Sequence, residues 1–155
     1  MGKDLASSTE YSLCNNLEKL GARVNLISPG ELYNQDFSHT SVKDFEFPGL
    51  TSISGGFFSK RLLETMSLEE IDVIMVDWRY ILPMKRVLKA SSTPWAIIDR
   101  GPPVKRGALN RLQKWYWLKS WNFAMKSADI GFVVSERHGD FVKAITDYSK
   151  DLEVI

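Results

Sequence analysis

Thiols and imidazoles are scarce in this chain. One cysteine, Cys14, and two histidines, His39 and His138, stand among 155 residues. A lone cysteine excludes an intramolecular disulfide, and with it the small secreted scaffolds held together by bridges. So few soft ligands also argue against a zinc site, and no metal is expected. No stretch of the sequence approaches the roughly 18 apolar residues of a membrane-spanning helix. The N-terminus lacks the apolar core of a secretory signal. The expected location is cytoplasmic, with peripheral contact at a membrane left open. Self-contained catalytic fingerprints are lacking too. There is no G-x-S-x-G elbow, no G-x-x-x-x-G-K-[ST] loop and no G-x-G-x-x-G turn. Gly55-Gly56 alone reads better as a turn before a helix than as a phosphate cradle. His39 and His138 read as surface histidines.

Acidic residues are missing from one long window. Between Asp99 and Asp129 there is none, while Arg100, Lys105, Arg106, Arg111, Lys114, Lys119 and Lys126 supply seven cations. The whole chain holds 20 Lys+Arg against 19 Asp+Glu, a net charge of +1. That balance excludes a strongly basic nucleic-acid binder, and no nucleic acid is expected as a partner. Outside the window, 13 cations face 19 anions. The chain is therefore a mildly acidic body carrying one basic stretch. Three of the five tryptophans, Trp115, Trp117 and Trp121, fall in that stretch.

What is present is a globular composition, 44% hydrophobic and 25% charged, of a length that fits one domain. Residues 1–155 are expected to form a single Rossmann-like unit. Ser7-Ser8-Thr9-Glu10 has capping-box spacing and opens a helix through Leu13, Leu17 and Leu20, with Gly21 ending it. Val24–Ile27 reads as a strand. Residues 31–55 read as a long connection with a short strand near Phe45–Phe47. A helix over 57–66 would bury Phe58, Leu62, Leu63 and Met66. Ser67-Leu68-Glu69-Glu70 is a second capping box, starting one short turn. Asp72–Asp77 is an apolar run between aspartates, as in a strand buried on both faces.

The alternation then continues. It gives a helix over 83–91 with Pro83 in its first turn, a strand at Trp95–Ile98 and a long helix over 107–126. A strand at Ile130–Val134, a helix over 136–146 capped by Ser135, and a start of strand at Glu153–Ile155 complete it. This order predicts an α/β protein: a three-layer, Rossmann-like open parallel sheet with helices on both faces.

Ligands of open α/β sheets collect at the carboxyl ends of strands. Three such ends are polar: Asp77-Trp78-Arg79-Tyr80, Asp99-Arg100-Gly101-Pro102-Pro103 and Ser135-Glu136-Arg137-His138. Together they suggest a cleft. The plainer alternative is that Asp77 and Ser135 cap the helical segments after them and Asp99 pairs with Arg100. On a helical wheel of the 107–126 segment, Leu109, Leu112, Tyr116 and Phe123 form one stripe, read as the core face. Trp117 and Trp121 fall on another side, with Leu118, Ala124 and Met125. Their company of Lys105, Arg106, Arg111 and Lys114 suits a membrane interface or a lipid-borne acceptor. The alternative is an ordinary buried helix whose cations reach out to solvent.

The order of these segments resembles the N-terminal domain of glycosyltransferases of the GT-B fold, family 4 type. The carriers are "EYSLCNNLEKLGARVNLIS", "EEIDVIMVDW", "WAIIDRGPP" and "WNFAMKSADIGFVVSE", spanning about Ser7 to Ile155. The resemblance implies the acceptor-binding half of a retaining, sugar-nucleotide-dependent enzyme. The sugar nucleotide and the C-terminal donor domain would lie beyond "DLEVI", and this half alone would not be catalytic. Acceptor contacts would come from Asp77, Arg79, Asp99, Arg100, Ser135 and Glu136. Asp99 would orient a hydroxyl, Arg79 and Arg100 would supply charge, and the acceptor would be a sugar or a lipid-linked sugar. Two departures stand out. The opening strand and Gly-rich loop of the family are missing or very short, which would favour a homodimer. Asp99-Arg100 also replaces a histidine that many relatives carry. The alternative reading is a membrane-surface-associated α/β binding module without catalysis.

Overall fold

A computed structural model describes residues 9–29, 35–42, 51–65, 68–103, 107–146 and 152–155. The Ser7 and Ser67 caps, Met66, the Phe45–Phe47 strand, Lys105, Arg106 and the place of an opening strand lie outside the described residues. The chain divides into two compact units, Met1–Ser59 and Lys60–Ile155.

In the first unit, helix α1 (Thr9–Lys19) leads to a two-stranded parallel sheet, β1 (Asn25–Pro29) beside β2 (Ser38–Val42). Gly21 has φ 90°, a conformation in which a side chain would be strained. Its N–H bonds Glu18 O at 2.9 Å and the Ala22 N–H bonds Leu17 O at 3.0 Å, the paired pattern of a Schellman stop. Gly21 thus ends the helix as its spacing implied, while Leu20 points to solvent instead of the core. Strand β2 has the sequence SHTSV and falls within the stretch read as a connection. Its polar residues show no apolar alternation, and pairing with β1 alone defines it. His39 bonds the Ser28 hydroxyl across that pair at 3.1 Å.

Helix α2 (Thr51–Thr65) starts earlier than expected. Gly55 and Gly56 lie buried inside it, not in a turn before it. Of its expected core residues Leu63 is buried, while Phe58 is exposed.

The second unit is built on a four-stranded parallel sheet in the order β3-β4-β5-β6: Ile74–Asp77, Trp95–Asp99, Ile130–Val133 and Leu152–Val154. Helices α3 (Trp78–Ala90), α4 (Ala108–Ser127) and α5 (Glu136–Thr146) make the crossovers. The chain is therefore α/β, with the open parallel, Rossmann-like architecture expected from its alternating segments. Ile74 stands beside Trp95, Ile97 beside Gly131, and Asp99 beside Val133. Side chains on adjacent parallel strands in register share a face. The three helices pack side by side over this one, since Trp95 stacks on Phe123 of α4 and Gly139 of α5 abuts Val133. Ala96, pointing the other way, is buried as well, while Met75, Ile98 and Phe132 on that face are half-buried.

Two local devices hold this unit in register. Asp129 closes a ring with Trp95: the Trp95 N–H bonds its carboxylate at 2.9 Å, and the Asp129 N–H bonds Trp95 O at 2.9 Å. At Gly131 a Cβ would stand 2.5 Å from the end of the Leu152 side chain and 3.3 Å from the Trp121 ring, so a larger residue would make Leu152 swing aside and the indole give by a few tenths of an ångström.

Helix α3 starts five residues before Pro83, so the proline sits within the helix and not in its first turn. Proline has no N–H to give the carbonyl four residues back, here that of Arg79. The Tyr116 hydroxyl donates to Arg79 O at 3.1 Å and takes over that role. Burial pushes the Tyr116 phenol well above its ordinary range, which keeps it protonated as a donor.

This substitution of partners makes a prediction. Tyr116→Phe should cost about 1–2 kcal/mol in denaturant unfolding, because the Arg79 carbonyl loses this donor. In a Pro83→Ala background, where the backbone N–H returns, the same change should cost clearly less. Equal costs in both backgrounds would show that the hydroxyl does not serve that carbonyl.

Candidate functional site at the carboxyl edge of the sheet

The polar ends of β3 and β4 diverge in the structure. Asp77 is the N-cap of α3, its Oδ1 accepting the Arg79 N–H at 2.9 Å. The same carboxylate takes the Arg79 guanidinium as a fork: Nε reaches Oδ1 at 2.7 Å and Nη2 reaches Oδ2 at 2.8 Å. Arg100, from the end of the neighbouring strand, places Nη2 3.3 Å from Oδ2. Two guanidiniums therefore converge on one carboxylate at adjacent strand ends. All three side chains are partly open to solvent. Asp77 caps, as the plainer alternative held, and it also gathers both candidate arginines. Arg100 does not pair with Asp99.

Asp99 turns inward instead. It is 0% exposed. Its Oδ1 accepts the Gly101 N–H at 2.8 Å. Its Oδ2 accepts the indole N–H groups of Trp117 at 2.6 Å and Trp121 at 2.7 Å. His138 Nε2 lies 3.3 Å from the same oxygen, at ion-pair distance but without hydrogen-bond alignment. A hydroxyl-orienting role at an acceptor does not fit a carboxylate with no exposed surface and these partners. Asp99 positions α4, α5 and the turn at Gly101. Burial is the largest influence on its carboxyl and pushes its pKa up. His138, the Gly101 N–H, Trp121 and Trp117 together outweigh it and hold the group below the usual carboxylate range.

The two tryptophans are corrected with it. Trp117 is 2% exposed and Trp121 0%, so neither touches a lipid surface. Tryptophan carries both a large apolar ring and one donor, and a dry carboxylate needs donors. The face of α4 turned to the sheet is Asn110, Trp117, Ser120, Trp121 and Ala124. Leu109 and Leu112, read as core, are exposed. Arg111 and Lys114 are exposed as expected of cations.

Ser135 is exposed, and its hydroxyl accepts the His138 N–H at 3.2 Å, which makes it the cap of α5. Glu136 is exposed in the first turn. Both stand at the same sheet edge as Asp77, after a strand two positions away. His138 is buried, contrary to its reading as a surface group. The signal was available: His138, Val142 and Thr146 recur every four residues and are all buried.

Among the described residues, no three His, Cys, Asp or Glu side chains group in a way that could hold a metal ion. Among them no helix is long and apolar enough to cross a membrane. The chain matches no family model, no curated protein and no solved structure.

The depressed Asp99 pKa links it to acid stability. A carboxyl lowered on folding adds stability above its unfolded pKa of about 3.9, and loses it as pH falls through the folded value. Asp99→Asn should cost about 2–4 kcal/mol at neutral pH, because an amide cannot accept at both positions without turning its own donors on other donors. The variant should also lose less stability than the parent between pH 5 and strong acid. Urea midpoints across that range would check both, and parallel acid limbs would remove Asp99 as their source.

Proposed function

We propose that this chain is the acceptor-binding domain of a sugar-nucleotide-dependent retaining glycosyltransferase, acting with a separate donor-binding domain. The observation that carries this reading is the convergence of Arg79 and Arg100 on Asp77 at the carboxyl ends of adjacent parallel strands. That edge is where α/β sheets collect ligands. Guanidiniums suit planar or phosphate oxygens, and a partly exposed carboxylate suits sugar hydroxyls. The resemblance of the segment order to the GT-B acceptor domain supports the same assignment. The acceptor would be a sugar or a lipid-linked sugar bearing phosphate near the arginines.

In this scheme Asp77 presets both guanidiniums, so that little side-chain freedom is lost when the acceptor arrives. Arg100 supplies charge to an acceptor phosphate. Ser135 and Glu136 offer hydrogen bonds further along the edge. The donor domain supplies the sugar nucleotide and the groups that stabilise its leaving diphosphate.

The isolated 155-residue chain should show no transfer or hydrolysis of a sugar nucleotide. It should bind a hexose phosphate from a small panel, followed by calorimetry. Arg100→Gln should weaken that binding about tenfold, close to 1.4 kcal/mol. Turnover of a sugar nucleotide by the chain alone, or sugar-nucleotide binding tighter than any hexose phosphate, would sink the assignment.

A further inference from the structure

We propose that the outward face of α4 is a docking surface for an anionic lipid bilayer. The inference rests on the exposed side chains of that helix and is independent of the acceptor assignment. With Trp117 and Trp121 turned onto Asp99, the opposite side of α4 is fixed as its solvent side. Arg111, Leu112, Trp115, Lys119, Asn122 and Lys126 fall within roughly 100° of the helical wheel, on the step of 100° per residue. All six are exposed.

Large apolar side chains are unusual on such a face. Leu112 is 59% exposed and Trp115 53%, and Leu109 at its margin is 48%. Lys119 holds its ammonium 6.0 Å from the centre of the Trp115 ring. The helix has 20 residues, enough to lie along a surface for about 30 Å. No acidic residue occurs anywhere from Arg100 to Ala128. A tryptophan and two leucines among cations, with no anion between them, match an interfacial helix. The rings and leucines enter the headgroup boundary, and the cations meet lipid phosphates.

The charge pattern separates this occupant from others. A symmetric contact between two copies would set Arg111 and Lys119 against their own equivalents, with no carboxylate on the face to offset them. A nucleic acid would use the cations and stack on Trp115, yet it would leave Leu109 and Leu112 in water, and the whole chain carries a net charge of only +1.

The test is co-sedimentation of the chain with vesicles of phosphatidylcholine alone, or of phosphatidylcholine mixed with phosphatidylglycerol. Binding should require phosphatidylglycerol and weaken as salt is raised. The double variant Leu112→Ser, Trp115→Ser should bind at least about tenfold less, since both side chains lose their burial in lipid. It should keep the parent's melting temperature, because neither residue is in the core. Arg111→Gln with Lys119→Gln should bind less and respond less to salt. Four results would overturn the proposal: no binding to the anionic vesicles at low salt, equal binding to neutral vesicles, undiminished binding by the Leu112/Trp115 variant, or a solution dimer of the parent that this variant abolishes. Failure of hexose phosphate binding would leave the membrane proposal standing, and failure here would leave the acceptor assignment standing.

Discussion

A carboxylate without solvent at the end of β4 is the constraint on which the second unit depends. A dry charge is costly unless donors surround it. Asp99 finds two of its donors one helical turn apart on α4 and a third in the backbone turn at Gly101. Rotating α4 by even a quarter turn would strip both indoles from the charge at once. The helix is thus locked about its own axis, and the residues it shows to solvent are a consequence of what it must give to Asp99. His138 extends the same centre to α5, so that one oxygen lies at the meeting of a strand and two helices.

Asp77 and Asp99 are the same residue type at the ends of neighbouring strands, with opposite fates. Asp77 stands in register with Ile98, one residue short of Asp99. Side chains alternate along a strand, so this offset sends the two carboxylates to opposite faces. Asp99 goes into the packed helices. Asp77 stays at the edge, where it can hold two arginines in water-accessible geometry. The sheet thereby separates a carboxylate that builds the fold from one that organises a candidate site.

Much of the second unit was legible in the sequence because β3 and β4 are apolar runs closed by aspartate and β5 is an apolar run that follows one. The segments around Ile74–Asp77, Trp95–Asp99 and Ile130–Val133 fall within a residue or two of their expected bounds, and α5 matches its expected span. Strand β2 was illegible, since Ser38–Val42 owes its shape to pairing with β1 and not to its own pattern. The burial of α4 is hard to read for a related reason. Leucine suggests core and tryptophan beside lysine suggests interface, but apolarity alone does not rank two faces when a buried carboxylate selects for indole N–H. At the candidate site, the three polar strand ends could be located from sequence. The partner of each charge could not, because Arg100 reaches across to Asp77 over a strand pairing that the linear order does not display.

The Trp117–Trp121 pair has an optical consequence. The rings meet nearly edge-on, 6.4 Å between centres at 68°, and both N–H groups point at one oxygen. Two fixed, close and unequally oriented indoles couple their electronic transitions and give near-ultraviolet circular dichroism that vanishes when packing loosens. The molecule therefore carries an intrinsic gauge of its tertiary order. It sits where helix, strand and buried charge meet, and it reads the docking of α4 without any added label.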